Sequence, residues 1–382
     1  MRDRAAKQGD TILRGPRVTL RRMTHGDAPA LMRWGEDADF AWFQWGRNPG
    51  RWPDAASAAK WMDAFAERGG ELFAIEYEGR PIGQANYRDW QEKSKSAEVG
   101  IGIGEPALWS KSLGREALGL LLRHLVDDVG AHRVNLHVLA YNDRAIASYR
   151  AAGFEVEGIE REAVMTDRGS YADDVAMAHV VGRSRPAFDP RPVTLAGTHV
   201  RLEPIHREHA AELFPVAHEE DIWRLFLIPL PRDVADLERW INAGLEEQIL
   251  GNQVFFLTRR ANDGAIIGST RFLHIDRANK TVEIGWTFLG KDARGTVANT
   301  EAKYLQLRHL FEDLGANRVW LQTDKLNERS QRAMERIGAL REGELRDDRI
   351  SHDGRIRTSV IYGIIRPDWS RVKAHLEGLL VR

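Results

Sequence analysis

The stretch Trp109-Ser110-Lys111-Ser112-Leu113-Gly114-Arg115-Glu116-Ala117 is the first place where residue types and spacing suit chemistry. Small residues there let backbone amides crowd toward an anion, and the helix that follows adds a positive dipole. Lys111 and Arg115 would add charge. An ordinary helix start also uses Ser and Gly, so the loop alone leaves both readings open. Just upstream, Gly100-Ile101-Gly102-Ile103-Gly104 invites a dinucleotide reading, but its spacing is wrong and it lies within a strand pattern. A strand kept small so that another chain-like molecule can lie alongside fits better. The second chemical stretch is Asn142-Asp143-Arg144-Ala145-Ile146-Ala147-Ser148-Tyr149-Arg150-Ala151-Ala152-Gly153-Phe154. Asn142 suits a helix N-cap and Gly153 a helix stop. Tyr149 follows Asn142 by two turns, on the same side of that helix.

The elements that must hold these stretches occur twice. Glu116 to Gly158 lies on Glu301 to Gly343 without a gap at an offset of 185 residues, and 18 of the 43 pairs are identical. Identities include Glu116/Glu301, Arg133/Arg318, Asn142/Asn327, Gly153/Gly338 and Gly158/Gly343. A period this long marks a duplicated domain, since solenoid units run roughly 20 to 50 residues. We expect a first domain over 11–182, a Pro- and Arg-bearing linker over 183–192, and a second domain over 193–382.

In each copy a short strand (Val18-Thr19-Leu20-Arg21; Val200-Arg201-Leu202-Glu203) precedes a helical segment and a hairpin (Leu72–Tyr77 with Pro81–Tyr87; Val254–Arg259 with Ala265–Phe272). A glycine-bearing strand follows (Glu98–Ile103; Glu283–Phe288), then the loop and a long amphipathic helix with apolar Ala117, Leu120, Leu121 and Leu125. Gly130 and Gly315 stand where that helix should end. Another strand (Arg133–Ala140; Arg318–Thr323), the Asn-capped helix and late hairpins complete an α/β pattern with a mixed sheet.

Composition excludes several classes. Net charge is −1 with both signs interspersed, so there is no nucleic-acid footprint. Cysteine is absent, which removes disulfides, thiolate metal sites and a cysteinyl acyl-enzyme, and fits a cytoplasmic setting. No His/Asp/Glu cluster has metal-ligand spacing. The polar start MRDRAAKQGD has no apolar core of a secretory signal, and no run is long enough to span a bilayer. His124 and His309 recur in both copies and read as helix-face packing, while His137 faces Gln322 across the repeat and is not shared chemistry. Phe40 to Arg47 with Trp52 is rich in aromatics that suit either core packing or a clamp for a flat or cationic molecule.

Taken together, the two chemical stretches resemble the GNAT superfamily of acyl-CoA-dependent N-acyltransferases. Its pattern is a pyrophosphate loop Q/R-x-x-G-x-G/A, a strand, then N-x-x-A-x-x-x-Y-x-x-x-G-F, whose second half is complete from Asn142 to Phe154. The resemblance covers nearly all of both copies and is closest to the branch that includes ribosomal-protein alanine acetyltransferases. It implies two tandem folds, each a mixed, mostly antiparallel twisted sheet flanked by helices. It also implies acetyl-CoA or another short acyl-CoA as co-substrate, no metal, and an amine acceptor on a small molecule or a protein N-terminus. A monomer or homodimer is expected. The alternative is a non-catalytic acyl-CoA-binding or interaction protein.

Site roles follow from the resemblance. Ile101, Gly102 and Ile103 would offer backbone amides to the thioester, and Lys111, Ser112, Leu113, Gly114, Arg115 and Asn142 would hold the cofactor. Glu98, with Glu283 as its twin, sits where the family often places the proton acceptor, and Tyr149 suits protonation of the leaving sulfur. In the second copy Arg294, Gly295, Asn299, Thr300 and Asn327 would bind cofactor. That copy departs from the pattern: Val297 and Asn299 replace the loop glycines, and Met334 replaces the tyrosine. Ser112 departs in the first copy. A β-branched Val297 at a positive-φ position would be strained. Related single-domain members share the Asn299-Thr300-Glu301-Ala302-Lys303 helix start, so the second copy is a recognisable variant. The early aromatic segment would build the acceptor pocket. The first copy is expected to carry turnover.

Overall fold

A computed structural model of the chain describes residues 12–67, 69–183 and 186–381. The polar start discussed above (1–10), the first residue of the expected first domain and positions 184 and 185 lie outside them. The chain divides into two compact units at Ser184/Arg185. Part of the stretch read as a linker belongs to the second unit: Phe188 is buried in its core, and Asp189 accepts from Arg277 Nε at 3.0 Å.

The first unit runs β1 (Ile12–Arg14), β2 (Val18–Arg22), α1 (Ala28–Glu36), α2 (Ala38–Trp45), α3 (Ala55–Glu67), β3 (Glu71–Tyr77), β4 (Arg80–Gln91) and β5 (Ser96–Ile103). It continues with α4 (Leu113–Arg123), β6 (Arg133–Leu139), α5 (Asp143–Ala151), β7 (Glu155–Met165) and β8 (Tyr171–Val180). The sheet order is β1-β2-β3-β4-β5-β6-β8-β7. Only β5 and β6 are parallel, and their register ends at Glu98/Asn135, although both strands run on. Beyond that point the strands part. α4 buries Ala117, Leu120 and Leu121 on one face of the sheet, as its apolar spacing requires, and the helical path stops at Gly130 with φ 83.

The second unit repeats the plan with β9 (Leu195–Ala196), β10 (Val200–Pro204), α6 (Ala210–Ala217), α7 (Glu220–Trp223), α8 (Val234–Ile249), β11 (Val254–Arg260), β12 (Ile266–Asp276) and β13 (Thr281–Leu289). After these come α9 (Ala298–Arg308), β14 (Arg318–Asp324), α10 (Glu328–Arg336), β15 (Leu340–Ile350), β16 (Ile356–Ile365) and α11 (Trp369–Leu380). Its parallel pair, β13 and β14, likewise ends at Glu283/Trp320. One local difference matters. β4 and β5 pair in unbroken register from Gly83/Ile103 to Arg88/Glu98, whereas β12 and β13 skip between Ser269/Phe288 and Arg271/Gly285. Trp286 and Thr287 thus oppose Thr270 in a bulge, and Trp286 takes φ 48.

The shared Glu116/Glu301 has a structural cause. Glu116 accepts from the amides of Arg17 (2.7 Å) and Val18 (3.1 Å); Glu301 accepts from those of Thr198 (2.8 Å), His199 and Val200 (both 2.6 Å). Each carboxylate therefore ties the helix that follows the loop to the first hairpin. A Cβ on Gly15 or Gly197 would meet it at 2.7 or 2.5 Å, so the turn residue must be small.

Candidate active site

In the first unit the gap between β5 and β6 opens into a cavity of about 520 Å³. The loop before α4, the facing sides of α2 and α5, and strands β5, β6 and β8 wall it. Of the residues singled out in the sequence, Ile101, Gly102, Ile103, Ser112, Leu113, Gly114, Arg115, Asn142 and Tyr149 all line it. Lys111 and Glu98 do not. Lys111 is exposed, and its carbonyl accepts from Arg17 Nη1 at 3.0 Å. Glu98 lies beside the cavity and is engaged by the Arg88 guanidinium.

Local chemistry explains the walls. Ser110 and Ser112 both adopt left-handed backbone, φ 61 and 62, which bends the chain into the start of α4. The first amides of that helix have no intrahelical acceptor, so an anion there meets N–H donors, the dipole and Arg115. Such a cradle fits the phosphates of a CoA ester. Asn142 caps α5 by accepting from Ala145 N at 3.2 Å, and its Nδ2 donates to Phe43 O at 3.1 Å. The cap residue thereby also fixes the end of α2. Tyr141 Oη donates to Trp42 O at 3.1 Å, and Gly46 with φ 63 closes that helix.

Tyr149 is buried, and burial pushes its phenol up to about 12. It therefore holds its proton throughout neutral pH. On the opposite wall His137 and Asp174 face the cavity. His137 Nδ1 lies 3.7 Å from Glu98 and its Nε2 lies 3.9 Å from Glu160. Burial raises the Asp174 carboxyl, with a smaller lowering contribution from His137. The repeat does not share His137, and that asymmetry between the copies is the sequence signal that marks it.

Two expectations change. The small residues at Gly100, Gly102 and Gly104 are not kept free for a visiting chain. Added Cβ atoms would meet Asn86 at 2.8 Å, Gln44 at 2.6 Å and Trp34 at 2.0 Å, so the protein's own side chains use that space. The aromatic clamp is also occupied from within: Arg51 lies 4.5, 5.0 and 5.4 Å from the rings of Trp45, Trp52 and Trp61. Phe40, Phe43 and Trp45 still wall the cavity, and Arg144 stacks 3.7 Å over Trp109.

The second unit places its counterparts differently. Val297 is not strained, because it takes right-handed φ −66 where Ser112 takes 62; Gly295 carries the left-handed turn at φ 76. Arg294 donates to Glu219 at 2.7 Å and to Leu289 O at 2.8 Å, so its guanidinium is already engaged. Asn299 and Thr300 lie in the first turn of α9, and Asn327 caps α10 by accepting from Ser330 N at 3.1 Å. Glu283 is buried and bonded to His274 Nδ1 at 2.6 Å.

Where the first unit has Ala85, Leu118 and Leu121, the second has Thr270, Lys303 and Gln306, and the bulge adds Thr287 beside them. These four form one buried network, with Lys303 Nζ donating to Thr270 (3.2 Å), Thr287 (2.8 Å) and Gln306 (3.1 Å). Burial lowers the lysine to about 7. The joint switch from apolar to polar at three positions is readable in the repeat. Among the described residues there is no group of three or more metal-ligating side chains, and no helix is long and apolar enough to cross a membrane.

Comparison with known proteins agrees in both halves. The family model for the acetyltransferase (GNAT) domain matches residues 17–155 and 199–340. The Bacillus subtilis (strain 168) protein named "Putative ribosomal N-acetyltransferase YdaF" is 32% identical over 111 residues, which is 29% of this chain and 60% of that protein. An uncharacterised protein of Methanocaldococcus jannaschii, MJ1062, is 26% identical over 142 residues, 36% of this chain and 28% of its own length. The chain thus spans under two thirds of each. The crystal structure of a GCN5-related N-acetyltransferase from Brucella melitensis is 27% identical, with 50% of this chain and 86% of that one covered and a TM-score of 0.47.

Proposed function

Because the chain belongs to the GNAT acetyltransferase family, with a domain of that kind in each half, we propose that its first unit transfers a short acyl group, acetyl foremost, from acyl-CoA to a primary amine. The acceptor is a small molecule or a protein N-terminus. The observation that carries this reading is the convergence of three things on one cavity: the Ser110–Arg115 anion cradle, the free edge of β5 and the buried Tyr149 hydroxyl.

Acyl-CoA supplies, when bound, an acyl carbon activated by its sulfur. The amides at the α4 start and Arg115 hold its phosphates. The acceptor amine must lose a proton before it attacks, since an alkylammonium has a pKa near 10. His137 on the cavity wall takes that proton, and Glu98 behind it stabilises the resulting imidazolium. Tyr149 faces the departing sulfur. Burial pushes its phenol up to about 12, so it keeps its proton rather than handing it over outright to the departing thiolate. Tyr149 therefore donates a hydrogen bond to the sulfur, and solvent completes the protonation.

Release of free CoA with a panel of amines tests the proposal. Turnover with any amine excludes a non-catalytic acyl-CoA-binding protein; tight acetyl-CoA binding without turnover across a broad panel favours it. Calorimetry that finds no binding of CoA or its esters overturns both.

A further inference from the structure

Arg271, on β12 of the second unit, is a cation buried without an anion. It is 5% exposed, and its Nη1 reaches Gln253 Oε1 at 3.3 Å. Its Nε and Nη2 atoms have no hydrogen-bond partner among the described residues. The guanidinium lies 3.6 Å from the Phe255 ring, 4.3 Å from Trp240 and 5.3 Å from Trp286. Stacking on aromatic faces offsets part of the cost of burying a cation, but it supplies no acceptor for the N–H groups. The indole Nε1 of Trp240 is likewise buried and unpartnered.

Two further observations point to a ligand. Trp286 is held at φ 48 by the bulge in β13, a conformation that a bulky side chain avoids and that persists where its surroundings impose it. The bulge has no counterpart in the first unit. In addition, Arg271 matches Asn86 across the repeat, and Asn86 pairs with Gly100, two residues before the Gly102 that walls the first unit's cavity. Trp240 and Trp286 are only half-buried, so the rim of the cluster reaches solvent.

We propose that Arg271, the Trp240 indole N–H and the Trp286 ring bind a carboxylate carried on a planar or apolar body. Nε and Nη2 form an edge with two parallel N–H groups, which meets both oxygens of a carboxylate. The aromatic walls suit the body behind it. A phosphate dianion brings more charge than one guanidinium neutralises, and among the described residues no other cation stacks on these rings.

Titration calorimetry of the full chain with benzoate as probe, and with acetate and phosphate alongside, tests this. Benzoate is expected to bind once per chain, acetate more weakly and phosphate not at all. Arg271→Met removes two charge-assisted bonds and should weaken benzoate by about a hundredfold or more. The variant should melt no earlier than the parent, because an unpaired buried cation has gone. Trp240→Phe keeps a ring, loses the donor and should cost about tenfold. The proposal is overturned if the parent chain binds no benzoate, if Arg271→Met binds it equally well, or if phosphate binds as tightly.

Discussion

His137 Nδ1 lies 3.7 Å from Glu98 Oε1, just past the line where β5 and β6 cease to pair. Strand parting creates this relationship. Glu98 is the last β5 residue in parallel register, while His137 is two residues beyond the last paired residue of β6 and turns the same way as its partner Asn135. Arg88 from β4 fixes the carboxylate, Glu160 from β7 stands 3.9 Å from the other ring nitrogen, and Asp174 of β8 shares the cavity wall. The imidazole so placed lines the cavity with a carboxylate near each ring nitrogen.

Replacing His137 with Gln, the residue at the matching place in the second copy, should lower kcat by about a hundredfold or more while acetyl-CoA affinity is kept. The loss should shrink as pH rises toward the pKa of the acceptor amine, which then sheds its proton unaided. Steady-state kinetics from neutral to alkaline pH reads both effects. An unchanged kcat would remove His137 from the mechanism.

Tyr149→Phe keeps the ring that packs 6.1 Å from Phe154 and deletes only the hydroxyl. We expect kcat to fall about ten- to a thousandfold with acetyl-CoA affinity nearly constant, because the donor meets the sulfur only as charge develops there. Equal losses in affinity and kcat would instead mean that the hydroxyl serves ordinary binding.

The matching loop positions Ser112 and Val297 give a stability test. Ser112 pays for its left-handed φ of 62, whereas Val297 at φ −66 does not. Ser112→Val should therefore destabilise the first unit by roughly 1–2 kcal/mol, since a branched Cβ worsens the clash. Val297→Ser should cost less than about 1 kcal/mol. Denaturant midpoints of the two variants decide between this account and equal tolerance.

Much of this was legible in the sequence, for identifiable reasons. Helix α4 declared itself through Ala117, Leu120, Leu121 and Leu125 because one face of a helix must meet the sheet. Asn142 and Asn327 read as caps because an amide side chain ahead of a helix has little else to do, and both accept the expected backbone N–H. What stayed hidden depends on long-range partners. Nothing local to Gly104 reveals that Trp34 fills the space above it, or that Arg51 closes the tryptophan cluster. Val297 escapes the expected strain because the repeat conserves position in the fold but not dihedral angles. Gly295 keeps the left-handed turn that Ser110 makes in the first copy, while Val297, two residues on, is right-handed and so free to be β-branched.

Lys303 makes the second unit's stability depend on pH. An unfolded lysine titrates near 10.4, and burial lowers the folded one to about 7. Between these values the unfolded chain holds the extra proton, so stability climbs as pH rises from about 7 toward 10. Lys303→Met should flatten that rise in the second unit's denaturant midpoint measured at neutral pH and at successively higher values. An identical slope in the variant would mean that the ammonium stays charged inside its ring of Thr270, Thr287 and Gln306.

The copies should not contribute equally to turnover. In the first, Gly114 lines the cavity and its added Cβ would meet only Ile103, at 3.4 Å, so a larger side chain enters the cofactor's space. In the second, the matching residue is Asn299, the wall position Leu118 becomes buried Lys303, Met334 replaces the tyrosine, and Arg294 is bound to Glu219. Gly114→Trp should therefore abolish CoA release, and Asn299→Trp should leave most of it. Denaturant unfolding of both variants separates a blocked cradle from a collapsed fold. Activity that survives Gly114→Trp and dies with Asn299→Trp would move catalysis to the second unit. There the bonded pair Glu283 and His274, 2.6 Å apart, would be the acid–base candidates to test next.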